Sequence, residues 1–111
     1  MDVRQFLLSL LNALSSLDFV KNVDFKTEVF ILKGRATLEG KRYLQVYFNE
    51  LTGTTAFALI EKEKRIWGID FDNIRGWHLH PFRESEGHRS ITEKSVQDIV
   101  RKLSEVWDNL K

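Results

Sequence analysis

The residues best suited to chemistry are concentrated between Asp70 and Arg89, in the stretch DFDNIRGWHLHPFRESEGHR. All three histidines of the chain, His78, His80 and His88, lie there. Imidazole titrates near neutral pH and can both take up and release protons. Arginines in the same stretch can stabilise the charge that builds up on a phosphate. The stretch therefore predicts acid–base catalysis on a phosphodiester, without a metal.

His78 and His80 are separated by one residue, so in an extended segment both rings project to the same side. Leu79 would then point into the core. Pro81 excludes a helix at this point and favours an extended chain before it. The gap before His88 allows the chain to fold back over the pair. We predict that His78 and His80 are the acid–base pair and that His88 is a third proton-transfer or positioning group.

Charged and aromatic side chains around the histidines are predicted to bind and orient the substrate. Arginines would hold phosphate, and aromatic rings would stack on unpaired bases as in RNA-binding proteins. The predicted substrate-binding residues are Arg75, Arg83, Arg89, Trp77, Phe82 and, from a preceding strand, Tyr47, with Tyr43 beside it. Trp77 taken alone fits a core position better than a base platform. Asp70 and Asp72 could each orient a histidine, pair with an arginine or lie on a solvated face.

Two other interpretations of the histidines remain open. Three neutral imidazoles are a known catalytic zinc set, which would make His78, His80 and His88 the ligands. His-x-His with Glu84 nearby also resembles the first histidine motif of cupins, but the chain has no second motif, and the arginines disfavour a cation. Alternatively, the histidines are ordinary loop residues and the aromatic side chains cover the edge of the core.

Amphipathic helices are predicted at both ends of the chain. Asp2 and Gln5 form a capping box at the first helix, and Thr92 is the predicted N-cap of the second, with Ile91 packing against Val96. Apolar residues then recur at helical spacing. They are Val3, Phe6, Leu7, Leu10, Leu11, Leu14 and Leu17 in the first helix, and Val96, Ile99, Val100, Leu103, Val106, Trp107 and Leu110 in the second. The first stripe packs on a sheet or, alternatively, mediates dimerisation.

Between Thr27 and Asp72 the hydrophobic period changes to two, which is typical of strands. The predicted strands are Glu28–Glu39, Arg42–Glu50, Thr54–Lys62 and Arg65–Asp72, after a connection or short strand at Val20–Phe25. Their connections are short and therefore join antiparallel neighbours. We predict an α+β fold, in which an N-terminal helix, a four-stranded antiparallel β-meander, a functional loop and a C-terminal helix follow in order, with both helices on one face of the sheet.

Length and composition limit the function classes. The 111 residues correspond to a single domain, residues 1–111, and the 42% hydrophobic content supplies a core. A formal net charge of +1 argues against disorder and against nonspecific duplex binding. The absence of cysteine excludes disulfides, thiolate metal sites and cysteine nucleophiles. No apolar run approaches the roughly 20 residues that span a bilayer, so we expect a cytoplasmic protein without a membrane partner.

A family resemblance rests on the aromatic-rich meander ending in WGIDFDN, the histidine cluster HLHPF…GH and the helix that follows. Together they resemble the TumE-like toxins of prokaryotic toxin–antitoxin systems. The resemblance extends roughly from Phe30 to Arg89, with its specific part between Trp67 and His88. It implies a cytoplasmic toxin whose protein partner is an antitoxin encoded nearby. The helix-then-meander order is also similar to RelE- and barnase-type ribonuclease toxins, at the level of the fold.

The leading hypothesis is therefore a toxin-type, metal-independent ribonuclease with RNA as substrate. His80→Ala should abolish cleavage and change stability by less than about 1 kcal/mol, because exposed site residues rarely support the fold. The alternative is a non-enzymatic module that binds a protein or RNA partner, including a second copy of the chain. Exposure of Leu7 and Leu11 on the first helix would favour this alternative, because exposed apolar patches mark interaction sites.

Overall fold

The computed structural model describes residues 1–83 and 87–110, which form two helices and a seven-stranded antiparallel sheet. In chain order the elements are α1 (Val3–Leu14), β1 (Val20–Glu28), β2 (Ile31–Leu38), β3 (Arg42–Asn49), β4 (Thr55–Glu61), β5 (Lys64–Asp72), β6 (Gly76–His80), β7 (Arg89–Ser90) and α2 (Val96–Asp108). The strands pair in sequence order, from β1 at one edge to β7 at the other. Within the described part of the chain, no helix has the length and apolar character needed to cross a membrane.

The α+β class and the antiparallel meander are confirmed, but the predicted strand count of four is wrong. The predicted first strand is interrupted at Val29, whose positive φ of 46° reverses the chain between β1 and β2. Most β1 side chains are exposed, so this edge strand shows little apolar alternation in the sequence. The predicted functional loop contributes two further strands, β6 and β7.

One hydrophobic core joins both helices to alternate residues of β2–β5. Phe6 of α1 stacks on Phe48 of β3 with ring centroids 4.2 Å apart, and Phe19 stacks on Trp107 of α2 at the same distance. Burial of each such side chain contributes about 1.5–3 kcal/mol to folding. The helices thereby cover one side of the sheet.

The apolar stripe of α1 lies partly in the core and partly at the surface. Its buried members are Val3, Phe6, Leu10 and Leu14. Leu7 is half-buried against the core, whereas Leu11 is 38% exposed and the neighbouring Leu8 is 57% exposed. The first helix therefore packs mainly on the sheet and presents a small apolar strip outside it.

The face of the sheet opposite the core is called here the open face, and its strand register determines which residues meet. Lys33, Tyr47, Ala56, Asp70 and His78 lie opposite one another on successive strands from β2 to β6. Residues paired in this way share a face. A single cross-strand row therefore connects an aromatic side chain on β3 with the acidic and histidine residues of β5 and β6.

The N-cap of α2 is Ser95, and the prediction of Thr92 is wrong. The backbone N–H of Asp98 donates to Ser95 Oγ at 3.1 Å, and the Ser95 N–H donates to the Asp98 carboxylate at 3.3 Å. These hydrogen bonds lower the pKa of Asp98. The predicted capping box of α1, between Asp2 and Gln5, is confirmed.

We expect Ser95→Ala to lower the free energy of unfolding by about 1 kcal/mol, because it leaves a helix N–H without its acceptor. Thr92→Ala is the matched control and should change stability by less than about 0.5 kcal/mol, because Thr92 is exposed outside the helix. Urea denaturation followed by circular dichroism measures both. A larger loss in the Thr92 variant would contradict the observed helix start.

Candidate functional site

Strands β5 and β6 place Asp70, His78 and His80 together on the open face. Asp70 is paired with His78 in the ladder, and His80 follows two residues later opposite Gly68. The rings of His78 and His80 have centroids 5.1 Å apart, while Leu79 packs against the core on the other side. The predicted alternation around Leu79 is therefore confirmed, although these residues form a strand and not a loop.

Both histidines of β6 are buried, with relative exposures of 4% for His78 and 8% for His80. The expectation that His80 is an exposed residue is wrong, so the small effect on stability expected of His80→Ala loses its premise. A buried polar group needs a partner, because leaving it unpaired costs about 1–3 kcal/mol. The hydrogen-bond partners of the two rings therefore determine which ring nitrogens carry a proton and which can bind a ligand.

The tautomer of neutral His78 follows from its contact with the backbone. His78 Nδ1 lies 3.1 Å from the Gly76 carbonyl oxygen, which can only accept, so Nδ1 carries the hydrogen. In the neutral ring Nε2 is then a bare lone pair. This atom is buried and has no hydrogen-bond partner within the described residues, and it lies 3.4 Å from Asp70 Oδ2.

His80 is held by the same carboxylate oxygen. Its Nε2 donates a hydrogen bond to Asp70 Oδ2 at 2.9 Å. Burial and, after it, the positive charge of Arg65 lower the pKa of His80, which favours the neutral ring. Arg65 Nη1 lies 3.8 Å from the same Asp70 oxygen. Asp70 Oδ2 thus accepts the hydrogen bond of His80, pairs with Arg65 and lies close to the unpartnered nitrogen of His78.

The third histidine, His88, lies against the pair but at the surface. Its ring centroid is 5.5 Å from that of His80 and 6.2 Å from that of His78. A surface pocket of about 270 Å³ is lined by Arg75, His78, His88, Arg89 and Ser90. The structure therefore brings together all three predicted histidines and two of the predicted arginines. Glu84, considered for a cupin-like motif, lies outside the described residues.

Asp72 contacts an arginine and no histidine among the described residues. Its carboxylate accepts hydrogen bonds from the backbone N–H groups of Ile74 and Arg75 and pairs with Arg75 Nη2 at 3.0 Å. The Arg75 backbone contact is the main cause of a lowered Asp72 pKa. Asp72 therefore shapes the turn between β5 and β6 and positions Arg75 at the pocket.

The remaining predicted substrate-binding residues are dispersed. Trp77 lies on the core side of β6, with its ring centroid 5.2 Å from that of Phe71, on the opposite face from the histidines. Phe82 is half-buried against the core, and the exposed Arg83 guanidinium lies 4.9 Å from its ring centroid. Tyr47 is on the open face in the row of Asp70, at roughly 14 Å from β6 by strand spacing.

Sequence reasoning missed Arg65 and Gly68. A register shift between Leu59 and Ile60 marks a bulge in the β4–β5 ladder, beside the point where Arg65 approaches Asp70. At Gly68 a Cβ atom would lie 2.7 Å from the Phe57 carbonyl oxygen, so a side chain there would force the backbone to shift. A glycine inside a strand was the available signal for such a close approach.

Comparisons of the chain with protein-family models, curated proteins and solved structures gave no significant match.

We expect His80→Ala to lower the free energy of unfolding by about 2 kcal/mol, because it removes a hydrogen bond to a carboxylate and leaves a gap in a buried cluster. His88→Ala is the matched control. It should change stability by less than about 0.5 kcal/mol, because the His88 ring is exposed. Urea denaturation in the presence of EDTA measures the difference. Equal stabilities of the two variants would contradict the structural role of the Asp70–His80 contact.

Proposed function

We propose that the chain is a toxin-type ribonuclease whose reaction takes place in the pocket beside the histidine cluster. The observation that carries the proposal is the lining of that pocket, which the exposed residues His88, Arg75 and Arg89 share with the buried His78. Guanidinium groups bind phosphate and stabilise its developing charge, and an accessible imidazole transfers protons near neutral pH. This combination suits cleavage of a phosphodiester.

The contacts change the roles proposed for the histidines. A ring nitrogen of His78 is committed to the Gly76 carbonyl, and its other nitrogen is buried. His80 donates to Asp70 and is buried as well. His88 is therefore the residue proposed to exchange a proton with substrate, while His78 and His80 support it from behind as positioning residues.

The proposed reaction is an intramolecular attack within RNA. His88 accepts the proton of a ribose 2′-hydroxyl as that oxygen bonds to phosphorus and the bond to the 5′ oxygen breaks. The leaving oxygen takes a proton from solvent, and the products are a 2′,3′-cyclic phosphate and a 5′-hydroxyl. Arg75 and Arg89 hold the phosphate oxygens. Because Arg75 already pairs with Asp72, phosphate would share this guanidinium with the carboxylate.

The open face offers a path for the RNA strand that leads to the pocket. Tyr47 lies in the same cross-strand row as Asp70 and His78, with the small side chain of Ala56 next to it and Lys33 on its other side. An unpaired base can stack on an aromatic ring while a lysine contacts the phosphate. The ring of Tyr43 is already covered by the Arg35 guanidinium, 4.2 Å from its centroid. Tyr47 is therefore the proposed platform.

The second candidate function is a non-enzymatic binding module, and the exposed strip of α1 favours it. Leu8 and Leu11 are three residues apart and hence neighbours on one helix face, and both are exposed. In the toxin proposal the same strip is the proposed contact for an antitoxin partner. The strip is compatible with both candidates, so RNA cleavage has to distinguish them.

The test is cleavage of a mixed RNA pool by purified protein in EDTA. We expect wild type to cleave and to leave 2′,3′-cyclic phosphate ends. His88→Ala should lose about 100-fold or more in rate, because it removes the proton acceptor. Arg89→Ala should also lose activity, whereas Arg4→Ala, an exposed arginine on α1, should behave as wild type.

An unchanged rate in His88→Ala would contradict the role of this residue. Absence of cleavage by wild type, with and without added metal, would support the binding module instead. Cleavage only after addition of zinc or manganese would overturn the metal-independent reaction.

A further inference from the structure

We infer that Asp70, His78 and His80 form a binding site for a divalent transition-metal ion such as zinc, behind the reaction pocket. The inference goes beyond the proposed ribonuclease reaction and does not depend on it. One nitrogen or oxygen atom from each of the three residues lies within 4.8 Å of those of the other two. Two imidazoles and a carboxylate are a ligand set that zinc and related ions accept.

Nε2 of His78 is buried without a hydrogen-bond partner among the described residues. Because Nδ1–H is donated to Gly76, the buried Nε2 of the neutral ring directs its lone pair into a space shared with Asp70 Oδ2, 3.4 Å away. Two electron-rich atoms at this separation repel each other unless a positive charge lies between them. A metal ion bound by both atoms removes this repulsion and provides the buried nitrogen with a partner.

The backbone already supplies the outer support of a metal site at His78. A histidine that binds a metal through one nitrogen usually donates its other N–H to a carbonyl or carboxylate, which fixes the tautomer and the ring orientation. His78 has this arrangement through Gly76. His80 requires a change of tautomer, with its proton moving from Nε2 to Nδ1, before Nε2 can bind a metal in place of its hydrogen bond to Asp70.

The distances between the candidate ligand atoms also suit a metal ion. Zinc binds nitrogen and oxygen at about 2.0–2.2 Å, so adjacent ligand atoms of a tetrahedral site are roughly 3.3–3.5 Å apart. Asp70 Oδ2 lies 3.4 Å from His78 Nε2 and 2.9 Å from His80 Nε2. All three ligand atoms lie within 4.8 Å of one another, so small side-chain movements would bring them to the spacing of a metal site. The ligand set considered from the sequence, with His88 as third ligand, is replaced by one that includes Asp70.

Two positive groups oppose a cation here. Arg65 lies 3.8 Å from Asp70 Oδ2, and a protonated His88 would face the rings of both β6 histidines. Arg65 is exposed and can turn towards solvent, so it weakens binding without blocking the site. Removal of its charge is therefore expected to tighten metal binding. A proton on His78 Nε2 is the competing way to fill the same gap.

The experiment is calorimetric titration of zinc chloride into wild-type protein that has been freed of metal with EDTA and dialysed. We expect one ion per chain. Asp70→Asn and His78→Ala should weaken binding at least about 10-fold, and Arg65→Gln should strengthen it. His88→Ala, the matched histidine control, should bind as wild type does. No heat of binding in wild type, or loss of binding in His88→Ala alone, would overturn the inference.

A second measurement on the wild-type chain avoids variants that fail to fold. Zinc should shift the side-chain NMR signals of His78 and His80, with a much smaller effect on those of His88. Unshifted signals at saturating zinc would show that His78 Nε2 is satisfied by a proton and would overturn the metal site. Neither readout involves RNA, so failure of the metal site and failure of the ribonuclease proposal are distinguishable.

Discussion

The carboxylate of Asp70 is the interaction on which the rest of the site depends. One oxygen of this group is in contact with His78, His80 and Arg65, which come from two strands of the sheet. Buried polar groups are tolerated only where they find partners, because desolvation without compensation is costly. The pairing of β5 with β6 provides these partners, and it also explains why a polar stretch joins the sheet and does not remain a loop.

Strand β6 contributes to both sides of the sheet. Trp77 and Leu79 pack on the core side, whereas His78 and His80 lie on the open face. The apolar pair anchors the strand, so the histidines do not need to supply the energy that orders it. Because only one side of β6 packs in the core, the other side can hold charged and hydrogen-bonding groups, which a strand buried in the core on both sides could not.

Features that depend on residues close in the chain could be predicted from the sequence, whereas contacts between distant residues could not. The capping box at Asp2, the antiparallel meander and the common side of His78 and His80 all follow from spacing over a few residues. The burial of His78 depends on its pairing with Asp70, which spacing does not reveal. Asp72 illustrates the same limit. At the end of β5, opposite Gly76, its carboxylate accepts backbone N–H groups of the turn, whereas Asp70, two residues earlier, lies opposite His78. Register, and not residue type, separates their roles.

The pocket inherits its geometry from the buried cluster. Strand β7, which carries Arg89, is attached to β6 by only two ladder pairs, and one of these joins Ser90 to His78. His78 thus lines the pocket and pairs with β7 in the ladder. Its Nε2 lies close to Asp70. A proton or a metal ion bound at that nitrogen would therefore lie next to the strand that carries Arg89, the arginine proposed to bind phosphate. The proposed reaction pocket and the proposed metal site therefore share one residue, His78. They use different atoms and different chemistry.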